Sequence, residues 1–516
     1  MSRGILTAKN LGKSFGGIHA LKEINLTIHE NEIHCFAGMN GSGKSTFIKC
    51  VSGIYEPDCG EIILNGKTYS HLTPQEAISE GIQVIYQDLS LFPHLTIAEN
   101  IAINKIMNQG KRLVNWKEIY SVASAQLEKI GVEMDLNDTI QESTMANCQL
   151  TAICRALAMD AKLIFMDEPT TALTAREVKR LLAVVMDLKK KGYAIVFISH
   201  KLDEIFDVAD KITVFRDGQI VGNFESSSLD KKKLTQYMTG SEVEYHRYVR
   251  TCREDTPVLT VDHLSQKDNY TDISFSVRPG DILGLTGLLG SGRTELGLTL
   301  FGLNQHTSGT IMLEGKEIKR PTPEFMRKQG VGLLPENRSV QGLFAGKSIR
   351  QNLSSASLSE LTGRLGILDV KKEEQLAEKM IADMNVKAAS MEAPVETLSG
   401  GNQQKTVIGK WIAGNPRLFI MDAPTVGIDV GSKAEIYDKI QYYASKGMAI
   451  LLISDEIEEI ICNCNRILVM AQGKQVAMIE EEERLATDPA LLEEKIMRLM
   501  SEEKRPDDEL GAGGVS

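Results

Sequence analysis

Short, strongly apolar runs recur along the chain between longer stretches of mixed character. Leu163-Ile164-Phe165-Met166 and Ala194-Ile195-Val196-Phe197-Ile198 are two of them, and Leu418-Phe419-Ile420-Met421 and Ala449-Ile450-Leu451-Leu452-Ile453 are two more. A run this short with no polar face predicts a strand covered on both sides, as in a parallel sheet. Ile33-His34-Cys35-Phe36-Ala37 reads as a further short buried strand. Between roughly 96 and 160, and again between roughly 347 and 414, the pattern turns helical. Lys189-Lys190-Lys191 closes a helix just before a strand and reads as a solvated last turn, where cations suit the helix dipole. Strands alternating with helices in this way predict an α/β fold with a largely parallel core sheet.

The pattern is written twice. Leu6-Thr7-Ala8-Lys9-Asn10-Leu11 resembles Leu259-Thr260-Val261-Asp262-His263-Leu264, and Asp167-Glu168-Pro169-Thr170 returns as Asp422-Ala423-Pro424-Thr425. The copies lie about 250 residues apart, far too long a period for a solenoid, so one domain is duplicated. The expected organisation is a first domain over 1–240, a polar and charged linker over 241–257, a second domain over 258–501 and a frayed acidic, glycine-rich tail over 502–516.

Chemistry enters at the end of the first short strand. Gly38-Met39-Asn40-Gly41-Ser42-Gly43-Lys44-Ser45-Thr46 has the spacing G-x-x-x-x-G-K-S, with a helical pattern beginning at Thr46. Strand, glycine-rich loop and helix together make a phosphate cradle. Glycines let backbone N–H groups face an anion, and the helix start adds partial positive charge. Lys44 is placed for the β- and γ-phosphates and the Ser45 hydroxyl for Mg²⁺. Asp167 ends a buried strand, where a carboxylate reaches the same ion, and Glu168 follows as a candidate general base. Gln87, after Val84-Ile85-Tyr86, is a candidate for Mg²⁺ and the attacking water. His200, in Ile198-Ser199-His200, is a candidate contact to the γ-phosphate. Phe15 is a candidate to stack on adenine.

Composition narrows the partners. Of 516 residues, 42% are hydrophobic and 25% charged, which suits globular domains, and the net charge of −11 argues against a nucleic-acid surface. No apolar run reaches the roughly 18 residues that span a bilayer, and the start of the chain lacks a signal-peptide core, so a cytoplasmic protein is expected. The eight cysteines are scattered without a metal-site spacing and read as reduced thiols.

Leu398-Ser399-Gly400-Gly401-Asn402-Gln403-Gln404 resembles the signature loop of the ABC ATPases. With the motifs above, that resemblance covers essentially the whole chain. The fused pair of units, Gly292-Arg293-Thr294-Glu295-Leu296, Pro335-Glu336-Asn337-Arg338 and Gly427-Ile428-Asp429-Val430-Gly431 are most similar to the ATPases of simple-sugar importers, including those for ribose, galactose, xylose and autoinducer-2. The resemblance implies two tandem P-loop NTPase domains, each with a mainly parallel core sheet, an antiparallel β subdomain and a helical subdomain. It implies ATP and Mg²⁺, two membrane permease subunits and an extracytoplasmic sugar-binding protein. It places the protein at the cytoplasmic face of the cell membrane, attached only through the permease.

In that family ATP lies between the phosphate loop of one domain and the signature of the other. One site would then use Lys44, Asp167, Glu168 and His200 with Ser399, Gly400 and Gly401, and is complete. The other would use Gly287, Gly290, Gly292, Arg293, Thr294 and Asp422, and is degenerate. Arg293 replaces the lysine, Ala423 the glutamate, Asp455 the histidine and Glu336 the glutamine, and no aromatic matches Phe15. Its signature would be Ser143-Thr144-Met145-Ala146-Asn147, which has lost both glycines. Arginine and a missing histidine occur in the subfamily, whereas Ala423 and the 143–147 loop depart further. One hydrolytic site per chain is the expectation. A soluble tandem ATPase acting on ribosomes would keep both glutamates and a long basic linker, a DNA-repair ATPase would add zinc modules or a coiled coil, and a non-hydrolysing module would lack the complete first site.

Overall fold

The computed structural model describes residues 4–16, 18–108, 114–170, 173–199, 201–240, 247–288, 290–363 and 366–501. The chain divides into two compact units near residue 243.

In the first unit, β1 (Gly4–Phe15) and β2 (Ile18–His29) are long antiparallel partners. Then come β3 (Ile33–Ala37), α1 (Lys44–Val51), β4 (Cys59–Leu64), β5 (Lys67–Tyr69) and β6 (Ile82–Ile85). The helical stretch resolves into α2 (Ile97–Asn108), α3 (Trp116–Ile130) and α4 (Met145–Ala158). The remainder is β7 (Leu163–Asp167), α5 (Ala175–Lys190), β8 (Ala194–Ile198), β9 (Lys211–Arg216) and β10 (Gln219–Glu225). An antiparallel sheet of order β2-β1-β4-β5 packs over a six-stranded sheet of order β10-β9-β3-β8-β7-β6, parallel except at β10. The apolar runs of β3, β7 and β8 lie in its centre, buried along nearly their whole length because helices or the antiparallel sheet cover both faces. All the parallel strands point the same way, so the loops after β3, β6, β7 and β8 gather on one edge, where open α/β sheets hold ligands.

The second unit repeats this order. It has β11 (Leu259–Gln266), β12 (Tyr270–Val277), β13 (Ile282–Gly287), α6 (Arg293–Phe301), β14 (Ser308–Leu313), β15 (Lys316–Glu317) and β16 (Val331–Leu334). After its helical stretch come α7 (Gly400–Ile412), β17 (Leu418–Asp422), α8 (Val430–Ser445), β18 (Ala449–Ile453), β19 (Arg466–Ala471) and β20 (Lys474–Ile479). Here a pairing of Thr271 with Lys474 joins the antiparallel and parallel layers into one ten-stranded sheet. Registers agree between the copies: Asp167 sits opposite Ile198, and Asp422 opposite Ile453.

Residues 247–257, polar enough in sequence to read as linker, are strapped to the second unit. Tyr248 is buried, donates its N–H to Cys462 O at 2.8 Å and its hydroxyl to Gly280 O at 2.9 Å. Arg247 donates to the carbonyls of Arg484 and Thr487, and the fully buried Arg484 donates back to Tyr248 O. The polarity that suggested a linker is spent on backbone carbonyls. The outer linker residues 241–246 and the tail 502–516 lie outside the described residues.

Candidate functional site

Gly43 precedes α1 with φ 109°, and a Cβ there would stand 2.8 Å from Ala20 O. Only glycine fits, and the sharp entry leaves the first turn without a side-chain cap. Its N–H groups are therefore free for an anion. Lys44 opens the helix and bends back, donating through Nζ to Gly38 O at 2.7 Å, Met39 O at 3.0 Å and Ser42 Oγ at 3.3 Å. Burial lowers its proton affinity, while Glu168 and Asp167 oppose that effect. Ser45 and Thr46 follow in the first turn, with Ser45 exposed. Asn40 and Gly41 form the exposed tip of the loop. This cradle fits a nucleotide polyphosphate: open N–H groups, one buried cation and no room for a side chain behind the loop.

Asp167 ends β7, half-buried, and burial next to Glu168 raises its carboxyl above the usual range while Lys44 and Lys49 pull it back. A carboxylate desolvated beside a second carboxylate has reason to take a cation, and with the Ser45 hydroxyl this suits Mg²⁺. Glu168 is in the left-handed region, φ 49°, its N–H bound to Ile198 O at 3.0 Å. Gln87 is exposed just past β6. Phe15 is an exposed ring at the end of β1, braced edge-on by Tyr55 with centroids 5.1 Å apart. His200 lies outside the described residues. Its neighbour Ser199 shows a feature that sequence reading missed. Ser199 and Thr170 both donate to the buried Glu204, at 2.7 and 2.6 Å, so one carboxylate ties the loop after β7 to the loop after β8. The signal was in the repeat: the same three residue types recur as Thr425, Ser454 and Glu459.

The second unit keeps the scaffold and changes the chemistry. Gly287, Gly290 and Gly292 hold the loop as Gly38, Gly41 and Gly43 do, and a Cβ on Gly292 would meet Asn269 O at 2.6 Å. Ala423 retains the left-handed conformation of Glu168, φ 45°, with its N–H on Ile453 O at 2.9 Å. The backbone frame of Glu168 is kept at Ala423, without a carboxylate. Arg293 is half-buried; burial lowers its proton affinity, against the pull of Asp455, Asp422, Glu336 and Glu295. Glu459 accepts from Thr425 at 2.8 Å, from Tyr437, and from Lys433 at 2.9 Å, and Lys433 also pairs with Glu456. The loops after β17 and β18 are thus more heavily braced than their counterparts.

Burial pushes the Asp422 carboxyl up to about 6, with Glu336 adding to the effect and the Thr294 hydrogen bond and Arg293 opposing it. The folded chain therefore keeps a proton that the unfolded chain releases near pH 4. Stability should rise as pH falls from 7 towards 5, by about 1.3 kcal/mol, and Asp422→Asn should remove that gain. Urea unfolding at both pH values, without nucleotide or Mg²⁺, checks this; equal pH slopes in the two proteins would refute it.

The two signature segments also differ. Ser399 precedes α7 without capping it; its Oγ accepts from Asn402 Nδ2 at 2.9 Å, and the first N–H groups of Gly400 and Gly401 stay open. In the first unit Thr144 caps α4 by accepting from Asn147 N at 3.3 Å, and Met145 projects where Gly400 leaves space. The Thr144 cap satisfies one N–H of its helix, and Met145 puts a side chain where Gly400 has none, so the start of α7 is the less obstructed of the two.

The ABC transporter family model matches residues 21–171 and 270–426. The chain is 39% identical to the ribose import ATP-binding protein RbsA 2 of Rhizobium johnstonii, over 93% of this chain and 93% of that one. It is 37% identical to the RbsA ribose import ATP-binding protein of Geobacillus kaustophilus, over 93% and 97% of the two chains. Identity to the corresponding protein of Corynebacterium glutamicum is 38%, over 91% and 89%.

Proposed function

The chain belongs to the ABC transporter family, and on that premise we propose that it is the ATP-hydrolysing subunit that energises import of a monosaccharide or sugar-like small molecule. One observation carries this reading: likeness to sugar-import ATPases runs over more than nine-tenths of the chain, through both units. Lys44, Asp167 and Glu168 in the first unit support hydrolysis in that half.

Lys44 and the N–H groups of residues 41–46 bind the phosphates, releasing the lysine from Gly38 and Met39 carbonyls that hold it in the meantime. Ser45, Asp167 and Gln87 would hold Mg²⁺, which neutralises charge between the β- and γ-phosphates. Glu168 takes the proton of the attacking water. His200 contacts the γ-phosphate, and Phe15 stacks on the base. Ser399, Gly400 and Gly401 complete the site in trans through the open start of α7. The loop of Gly287, Gly290, Gly292, Arg293 and Thr294, with Asp422, does not hydrolyse.

No helix among the described residues is long and apolar enough to cross a membrane. The work reaches the membrane through two permease subunits, served by an extracytoplasmic sugar-binding protein. Two exposed aromatics mark where they dock. Phe92 follows Gln87 and Phe344 follows Glu336, and each is held by a buried asparagine that bonds both its N–H and its C=O, Asn100 and Asn352. Exposed aromatic side chains on a braced backbone suit a binding surface. The protein sits on the cytoplasmic face, and nucleic acid is not a partner.

The test is an affinity pull-down of the full chain from detergent-solubilised membranes of its host, read by mass spectrometry. Co-purification of a permease with many membrane spans is expected. Ribosomal proteins without a permease would overturn the importer reading.

A further inference from the structure

Arg338 lies two residues past Glu336, at the head of a π-type turn, Arg338–Gly342. Such turns are uncommon and tend to mark functional positions. The turn is exposed at Val340, yet the arginine points inward. Its Nη1 donates to Val426 O at 2.7 Å and its Nη2 to Gly427 O at 3.4 Å, both in the loop beyond Asp422-Ala423-Pro424-Thr425. The same Nη2 stands 2.7 Å from where a Cβ on Gly400 would be. One planar cation therefore touches the loop after β17 and the first residue of α7.

The rest of the turn is pinned to the same helix. Lys410, near the end of α7, donates to Gly342 O at 2.6 Å, and Gln404 of α7 donates to Pro424 O at 2.7 Å. Buried donors of this kind are costly to leave unpaired. The exposed turn cannot shift without carrying the start of α7 or breaking these bonds.

The first unit lacks both members of the pair. Aligning Gln87 with Glu336 puts Leu89 at the position of Arg338, and aligning the helix starts puts Met145 at that of Gly400. A guanidinium packed on the helix start and the glycine that makes room for it are absent together, in the unit whose signature has eroded.

We infer that Arg338 is a positioning residue: it sets the start of the signature helix at Gly400 and couples it to the exposed turn 338–344. A partner that moves this turn thereby moves the residues that complete the ATP site. Glycine at 400 is required to admit Arg338 as well as to admit phosphate. The inference rests on the proposed role of Ser399, Gly400 and Gly401 in trans.

Steady-state Mg-ATP hydrolysis by the full-length chain, with the membrane partner it recovers where there is one, tests this. Arg338→Ala should lower kcat about tenfold or more with the KM for ATP changed less than about twofold, because Lys44 and its loop are untouched. Arg338→Lys should recover little, since one ammonium cannot serve two carbonyls and fill the planar slot. Gly400→Ala should also lower kcat, and the double variant should lose clearly less than the product of the two single losses, the excess over Arg338→Ala being the phosphate approach that Gly400 serves by itself. A kcat for Arg338→Ala within twofold of the parent, or losses that multiply in the double variant, would overturn the inference. Ser399→Arg separates the two readings. If it abolishes turnover while Arg338→Ala is harmless, only the positioning role fails; if it leaves turnover intact, the trans role of the signature fails. Thermal melting accompanies each variant. If Arg338→Ala unfolds early, Arg338→Gln, which retains a donor for Val426 O, takes its place in the cycle with the same expected non-additivity.

Discussion

Changing Glu168 to Gln is expected to lower ATP turnover by about 10²–10⁴-fold with little loss of ATP affinity. The substitution keeps size and hydrogen bonding and removes the ability to accept a proton. It also keeps the local backbone: residue 168 has φ 49°, and its N–H is anchored on Ile198 O whatever the side chain. The carboxylate adds negative charge beside Asp167 and Lys44. Losing that charge relieves Asp167 of a like neighbour, which favours cation binding. Phosphate release and nucleotide binding, measured on the same full-length preparation, give the two readouts. Turnover within about tenfold of the parent would move the general base elsewhere. The second unit cannot compensate, because Ala423 occupies the same frame without a carboxylate.

The second large effect is an asymmetry. Lys44→Ala should reduce turnover by about 10²-fold or more, whereas Arg293→Ala should change it by less than about threefold. The two residues open equivalent helices behind equivalent glycines. Their surroundings differ. Lys44 is the cation of a loop whose chemistry is otherwise complete. Arg293 feels the charge of Asp455, Asp422, Glu336 and Glu295, and Ala423 stands at the position of Glu168. On the proposed assignment, removing the lysine takes a charge-assisted contact from the transition state of the hydrolytic site, and removing the arginine changes the site proposed not to cleave. Parallel kcat and KM measurements decide the matter, with melting curves to show that both variants fold. Equal losses would sink the asymmetric model.

The duplication, the buried strands and the phosphate loop were legible in the sequence because each is a local property. An apolar run with no polar face has one economical fate, a strand covered on both sides, and Leu163–Met166 and Leu418–Met421 meet it. The spacing of Gly38, Gly43 and Lys44 encodes a turn that few other residues could make. The chemical asymmetry was legible too, since a missing carboxylate at Ala423 needs no coordinates to recognise. The linker was less so: the polarity of residues 247–257 does not reveal that Arg247 and Tyr248 spend their donors on the carbonyls of the second unit.

Residue types and their spacing, then, determined the fold class and the family. Those depend on backbone freedom, apolar periodicity and side-chain chemistry, all present within a few residues of each other. The tertiary structure decided that Glu204 bridges Thr170 and Ser199, and that Arg338 lies against Gly400. Most of these join residues tens of positions apart, and all turn on where side chains point once the chain has closed on itself. No local pattern encodes a meeting that exists only after burial has aimed both partners.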